Sequence, residues 1–142
     1  IIDKSGSKNS VAFDYNEVEL MKKTGSVMTH NHPSSSSFSE ADFKVCNILK
    51  GKMIRVASEF FDYELKLDEN FNQVDKALGL FKKSKEKWRK KLSIRFIEKD
   101  KALADPKDKE RLHNRFNHIV SHLSWKDVAK ELKGITYQRW VR

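Results

Sequence analysis

Two imidazoles and a carboxylate come close together in the stretch Thr29-His30-Asn31-His32-Pro33-Ser34-Ser35-Ser36-Ser37-Phe38-Ser39-Glu40-Ala41-Asp42. In an extended segment successive side chains leave opposite faces, so His30 and His32 can reach one ion while Asn31 points away. Ser34 to Ser37 cannot pack an apolar core and are expected to loop outward. Ser39 reads as the N-cap of a helix from Glu40 to about Leu49, which places Asp42 at the third helical position. There its carboxylate can accept from the cap or turn back toward the histidines. Two neutral imidazoles, one carboxylate and a water make a four-coordinate Zn2+ site with one open position, a donor set suited to metal-assisted hydrolysis.

These residues resemble the metal-binding signature of the JAMM/MPN metallopeptidase superfamily, in its bacterial and phage branch with a His-Asn-His-Pro sequence. The resemblance covers roughly residues 6 to 65. It implies zinc held by His30, His32 and Asp42, with Ser39 helping to stabilise the oxyanion, and peptidase or isopeptidase activity on a polypeptide substrate. The spacing from His32 to Ser39 is one residue shorter than the family's common pattern. The family's activating glutamate falls at or before Ile1, and Glu19 and Glu17 are the candidates for that role within the chain. The sequence also looks loosely like terminal modules of phage head-associated proteins or polymorphic toxins.

The elements that must position these groups can be read around them. Val11 to Phe13 suits a short strand. Asp14 and Asn16 offer caps for a helix from Glu17 to Lys23, with Val18, Met21 and Leu20 inward and Gly25 as terminator. Val27 and Met28 would enter a buried strand that delivers His30 and His32 at its end. Ala41, Val45, Ile48 and Leu49 give the following helix an apolar stripe, with Phe38 packed under its first turn. Cys46 reads as structural. Met53 to Ala57 and Phe60 to Leu67 alternate as strands, with Glu59 and Asp62 marking a turn between them. The order implies an α/β or α+β fold, a small sheet with flanking helices followed by a basic, mainly helical half. Residues 1–70 would form the metal-site region and 71–142 the basic region packed on it, as one compact domain overall.

The charge is unevenly placed. Residues 1–75 carry 9 Lys/Arg against 12 Asp/Glu, whereas 76–142 carry 20 against 8, so all of the net +9 lies in the second half. Such asymmetry favours a polyanion. A rival reading follows: a nuclease, as in a toxin module, with His30 or His32 acting on a phosphodiester. Lys82, Lys83, Lys85, Lys87, Trp88, Arg89, Lys90 and Lys91 would then bind nucleic acid, Trp88 stacking on a base. Trp88 is equally readable as a core anchor. A third reading is a non-catalytic phage or effector module whose imidazoles clamp a metal. An acidic partner, such as an immunity or regulatory protein, also fits the charge.

In that half the pattern is helical from Phe71 to about Asp100, Pro106 implies a corner, and Lys109 to His122 reads as another helix. His118 and His122 share a face, while His113 is placed elsewhere on the wheel; the pair is a candidate second metal site, and either could serve as a general acid over the first site. Ser124 and Asp127 have capping-box spacing and would start a further helix. Ile135, Tyr137 and Trp140 alternate as a final edge strand. No apolar run approaches a membrane span and no signal peptide is evident. The initial Ile reads as a fragment or processed product of a longer chain, cytoplasmic or else delivered or virion-associated.

Overall fold

The computed structural model describes residues 12–32 and 37–142; Val11 and Ser34 to Ser36 lie outside them. The elements run α1 (Tyr15–Thr24), β1 (Val27–His32), α2 (Glu40–Ile48), β2 (Met53–Ser58), β3 (Phe61–Leu67), α3 (Val74–Ala102), α4 (Pro106–Glu131) and β4 (Ile135–Val141). The strands form one mixed sheet in sequence order. β1 and β2 are parallel, joined through α2, and the other pairings are antiparallel. A small mixed sheet with helices and a mainly helical second half is the fold class that patterning implies.

Register and alternation sort the side chains. His30 lies opposite Val56 and His32 opposite Ser58, Val56 opposite Tyr63, and Tyr63 opposite Arg139. The two histidines therefore share a face with Ile54, Val56, Tyr63, Leu65 and Ile135, all buried. Phe38, Phe43 and Cys46 around α2, Ala77 and Phe81 of α3, and Trp125 and Val128 of α4 pack in the same core cluster. The helices α2, α3 and α4 thus cover that one face. The opposite face is polar and mostly exposed. Its buried exception, Glu64, is neutralised by Arg55 at 2.9 Å and Lys66 at 3.3 Å.

Several expectations change in detail. Asp14 and Glu17 close a capping box on α1, and Gly25 ends it in the left-handed conformation at φ 64°, but Leu20 is exposed and Met21 is the buried residue. β1 is an edge strand with Val27 exposed rather than buried. On α2 the inward face is Phe43 and Cys46, with Leu49 following, while Val45 and Ile48 face solvent. Asp62 lies inside β3, and the turn before it is Glu59–Phe60.

α3 and α4 meet at Asp105, which caps α4 ahead of Pro106 at its first turn. They run antiparallel, since Trp88 reaches Asp127, Arg89 reaches Asn117 and Asp100 reaches His113. α4 is continuous where a new helix start is expected. Ser124 is fully buried within it and donates back to the Val120 carbonyl at 2.6 Å, while Asp127 accepts from Ser84, Lys87 and Trp88 of α3. Asp127 is a strut between helices rather than half of a cap.

Candidate metal centre and its cleft

The ligand atoms of His30, His32 and Asp42 all lie within 4.8 Å of one another, and no other group of three or more His, Cys, Asp or Glu side chains among the described residues does so. Strand and helix geometry account for the meeting. The end of β1 presents both imidazoles on the core face, and the first turn of α2 brings Asp42 within reach of them. Nε2 of His30 and Nε2 of His32 are 2.8 Å apart. Asp42 Oδ1 is 3.3 Å from His30 Nε2, and Oδ2 is 3.7 Å from His32 Nε2. Tetrahedral bonds of about 2.0 Å put ligand atoms about 3.3 Å apart. The observed edges bracket that value, so the donor set fits zinc with small adjustments.

Asp42 is held in place by Ser39. The Ser39 backbone N–H donates to Oδ2 at 2.7 Å, its hydroxyl donates to the same oxygen at 2.8 Å, and the Asp42 N–H donates back to Ser39 Oγ at 3.1 Å. This capping box fixes the orientation of the carboxylate toward the two histidines. Burial raises the Asp42 pKa, but the hydrogen bond from His30, those from Ser39 and the His30 charge outweigh it and hold the carboxyl at about 2.

A cleft of about 390 Å³ opens beside His32. From the chain leading into α2 it is lined by Ser37, Phe38, Ser39, Glu40 and Ala41, and from α3 by Phe81, Lys85 and Arg89. Asn117 and Ser121 of α4 complete it. Ser37, expected to loop outward, is buried and bonded to Ser121 Oγ at 2.9 Å. The basic half therefore walls the candidate site directly.

Of the eight α3 residues expected on a nucleic-acid surface, Lys85 and Arg89 line this cleft. Lys87 is paired with Asp127, and Trp88 donates to the same carboxylate at 2.9 Å. Trp88 is thus half-buried between α3 and α4, outside the main core cluster. Lys82, Lys83, Lys90 and Lys91 are exposed, and Lys91 lies over the Trp88 ring. Glu17 serves the α1 capping box and Glu19 pairs with Lys22 at 3.2 Å; neither lines the cleft. Glu40, which sequence reasoning passed over, does. Its only signal is its place beside the Ser39 cap.

His118 and His122 are buried elsewhere. Tyr63 OH lies 2.6 Å from His118 Nε2, and Tyr137 OH 2.9 Å from His122 Nδ1. Burial, reinforced by the Arg139 charge, pushes both imidazoles down to about 4, and Lys126 and His118 add to the effect at His122. Both are therefore neutral core groups near pH 7, outside the ligand cluster and the cleft. His113 is exposed and 3.1 Å from Asp100. Cys46 is buried, with its thiol pushed up to about 11 by burial, as befits a structural residue.

No family model, curated protein or solved structure matches this chain. Among the described residues no helix is long and apolar enough to cross a membrane.

Proposed function

We propose that the protein is a zinc-dependent hydrolase of the JAMM-like type that cuts polypeptides. The observation that carries the reading is the convergence of His30, His32 and Asp42, with Ser39 bound to the carboxylate and a cleft alongside. Three protein ligands leave a fourth position open, the pattern of catalytic rather than structural zinc. Zinc bound there would polarise a carbonyl oxygen and lower the pKa of water from 15.7 to about 7.

The chain's own groups then divide the work. His30 and His32 would hold the ion through their ring nitrogens, and Asp42 would supply the anionic ligand. Ser39 fixes Asp42 with its single O–H, so developing negative charge would be met by the remaining backbone amides at the start of α2 rather than by that hydroxyl. The proton acceptor is Glu40, the carboxylate that shares the cleft with His32. It takes over the role that the resemblance places upstream of Ile1 and that Glu17 and Glu19 were candidates to fill.

The test is elemental analysis of the purified protein beside a His30→Ala/His32→Ala variant, with circular dichroism on both. One equivalent of zinc in the wild type, lost in a folded variant, together with peptide cleavage abolished by Glu40→Gln, is the expected result. Failure of the wild type to take up zinc removes the mechanism. Cleavage of RNA or DNA instead of peptide would favour a nuclease, a reading supported by Lys85 and Arg89 in the cleft wall.

A further inference from the structure

We infer that the cleft selects an acidic stretch of polypeptide, with Lys85 and Arg89 receiving a substrate carboxylate next to the bond that is cut. This specifies the substrate class of the hydrolase proposed above and rests on that reading.

Lys85 and Arg89 are four residues apart on α3 and so share a face. Both line the cavity that holds His32 and Ser39. Neither forms an ion pair with a carboxylate among the described residues. Lys85 Nζ stands 5.3 Å from the Phe81 ring, and Arg89 Nη2 approaches the Asn117 side-chain oxygen at 3.5 Å. Asn117 orients the guanidinium without neutralising it. Lys87, two residues from each and therefore on another face, is by contrast compensated by Asp127. Glu40, the one carboxylate among the described residues lining the same cleft, pairs with neither, so both cations remain open to a second carboxylate, and the Arg fork matches one through two parallel bonds.

The surroundings favour a carboxylate on a peptide over a phosphodiester. Phe38, Ala41 and Phe81 give the cleft an apolar side against which the methylenes of a glutamate can lie. At about 390 Å³ it holds a few side chains. A strand of nucleic acid needs a groove that tracks successive phosphates and aromatic faces on which bases stack. Here Lys82, Lys83, Lys90 and Lys91 are outside the cavity lining, and Trp88 is engaged by Asp127 and the flanking lysines.

The test is fluorescence anisotropy on the full chain supplied with zinc. The probes are a labelled peptide with a central run of glutamates, the same peptide with glutamines, and a labelled oligothymidylate. The glutamate peptide should bind about tenfold or more tightly than its glutamine counterpart, the scale of one or two charge-assisted hydrogen bonds. Lys85→Ala/Arg89→Ala should abolish that preference. Lys82→Ala/Lys90→Ala, which removes the same charge from the same helix outside the cleft, should leave it within about twofold, since exposed charges at that distance are screened. Circular dichroism checks both variants. Equal affinity for the two peptides, or equal loss in the two variants, overturns the inference. So does tighter binding of the oligothymidylate that depends on Lys85 and Arg89, which would make the cleft a phosphodiester site. Because binding is read without turnover, a chain that binds the acidic peptide but never cuts any peptide refutes only the hydrolase reading. A chain that cuts a peptide library with no acidic residue enriched beside the cut refutes only the present inference.

Discussion

Acid should unfold this protein through His118 and His122, well before Asp42 takes up a proton. Both imidazoles are within a tenth of full burial, each bonded to a tyrosine hydroxyl, and both are pushed from 6.5 down to about 4. Above pH 6.5 the folded and unfolded chains both carry them neutral, so they add no pH dependence. As pH falls below 6.5 the unfolded chain binds two protons that the folded chain refuses, and stability drops until about pH 4. At 1.36 kcal/mol per unit the full window is worth up to about 3.4 kcal/mol per histidine, and at pH 5 about 2 kcal/mol each. The two share Arg139 and repel one another when charged, so we expect a combined loss of about 3 to 4 kcal/mol at pH 5. That is a large part of the 5–15 kcal/mol typical of a domain.

Urea unfolding followed by circular dichroism, in chelator to remove any metal contribution, measures this directly at pH 7.5, 6, 5 and 4.5. The wild type should lose stability progressively across the window. His118→Gln/His122→Gln keeps an acceptor for each tyrosine hydroxyl but cannot titrate. It should begin less stable at pH 7.5 and show a markedly flatter dependence below 6.5. Arg139→Gln should reduce the slope without abolishing it, because burial is the larger cause. A wild-type stability that is constant from pH 7.5 to 4.5, or a double variant that falls as steeply as the wild type, would refute the assignment of these two histidines as buried neutral groups.

Three further outcomes follow from the packing. Ser39→Ala removes the α2 cap and the hydroxyl bond to Asp42, which should cost about 1 kcal/mol in chemical denaturation and weaken zinc binding by about 10- to 100-fold in a competition titration. Asp127→Ala strips the shared acceptor from Ser84, Lys87 and Trp88 and should destabilise the α3–α4 pair by about 1–3 kcal/mol, read as a lowered melting temperature; an unchanged value would mean that the three α3 donors find other partners. Trp125 is fully buried, stacked on Phe81 with ring centroids 4.2 Å apart and donating to the Phe38 carbonyl at 3.0 Å, so Trp125→Ala should cost about 3–5 kcal/mol in the same assay.

The ligand triad was legible because every step that assembles it is local. Alternation places His30 and His32 on one face, and a cap at Ser39 places Asp42 at the helix start, so the meeting needs only one crossover. The face of α2 was harder. The expected stripe of Ala41, Val45, Ile48 and Leu49 and the observed buried set of Phe43, Cys46 and Leu49 both have helical spacing, with Leu49 common to the two. Only the position of α2 between two parallel strands and against α3 decides for the second. Ser124 shows the same ambiguity from another side, since a serine three residues before an aspartate is a cap if its amide neighbours are free. Inside a continuous helix the same hydroxyl bonds backward to Val120, and the aspartate is released to bridge to α3.

The cleft was not legible, because its walls come from residues far apart in sequence. Lys85 and Arg89 share a helix face in any reading of α3, yet so do several other pairs within the run from Lys82 to Lys91. What singles them out is that α3 lies on the same sheet face as the histidines, and that Asp127 on α4 has already claimed Lys87 and Trp88. Packing thereby divides one basic run into charges that hold two helices together and charges that line the cleft beside His32. The net charge of the second half says that an anion is favoured somewhere. The helix pairing says which two cations of that run line the cleft beside His32 and which one is already paired across α3 and α4.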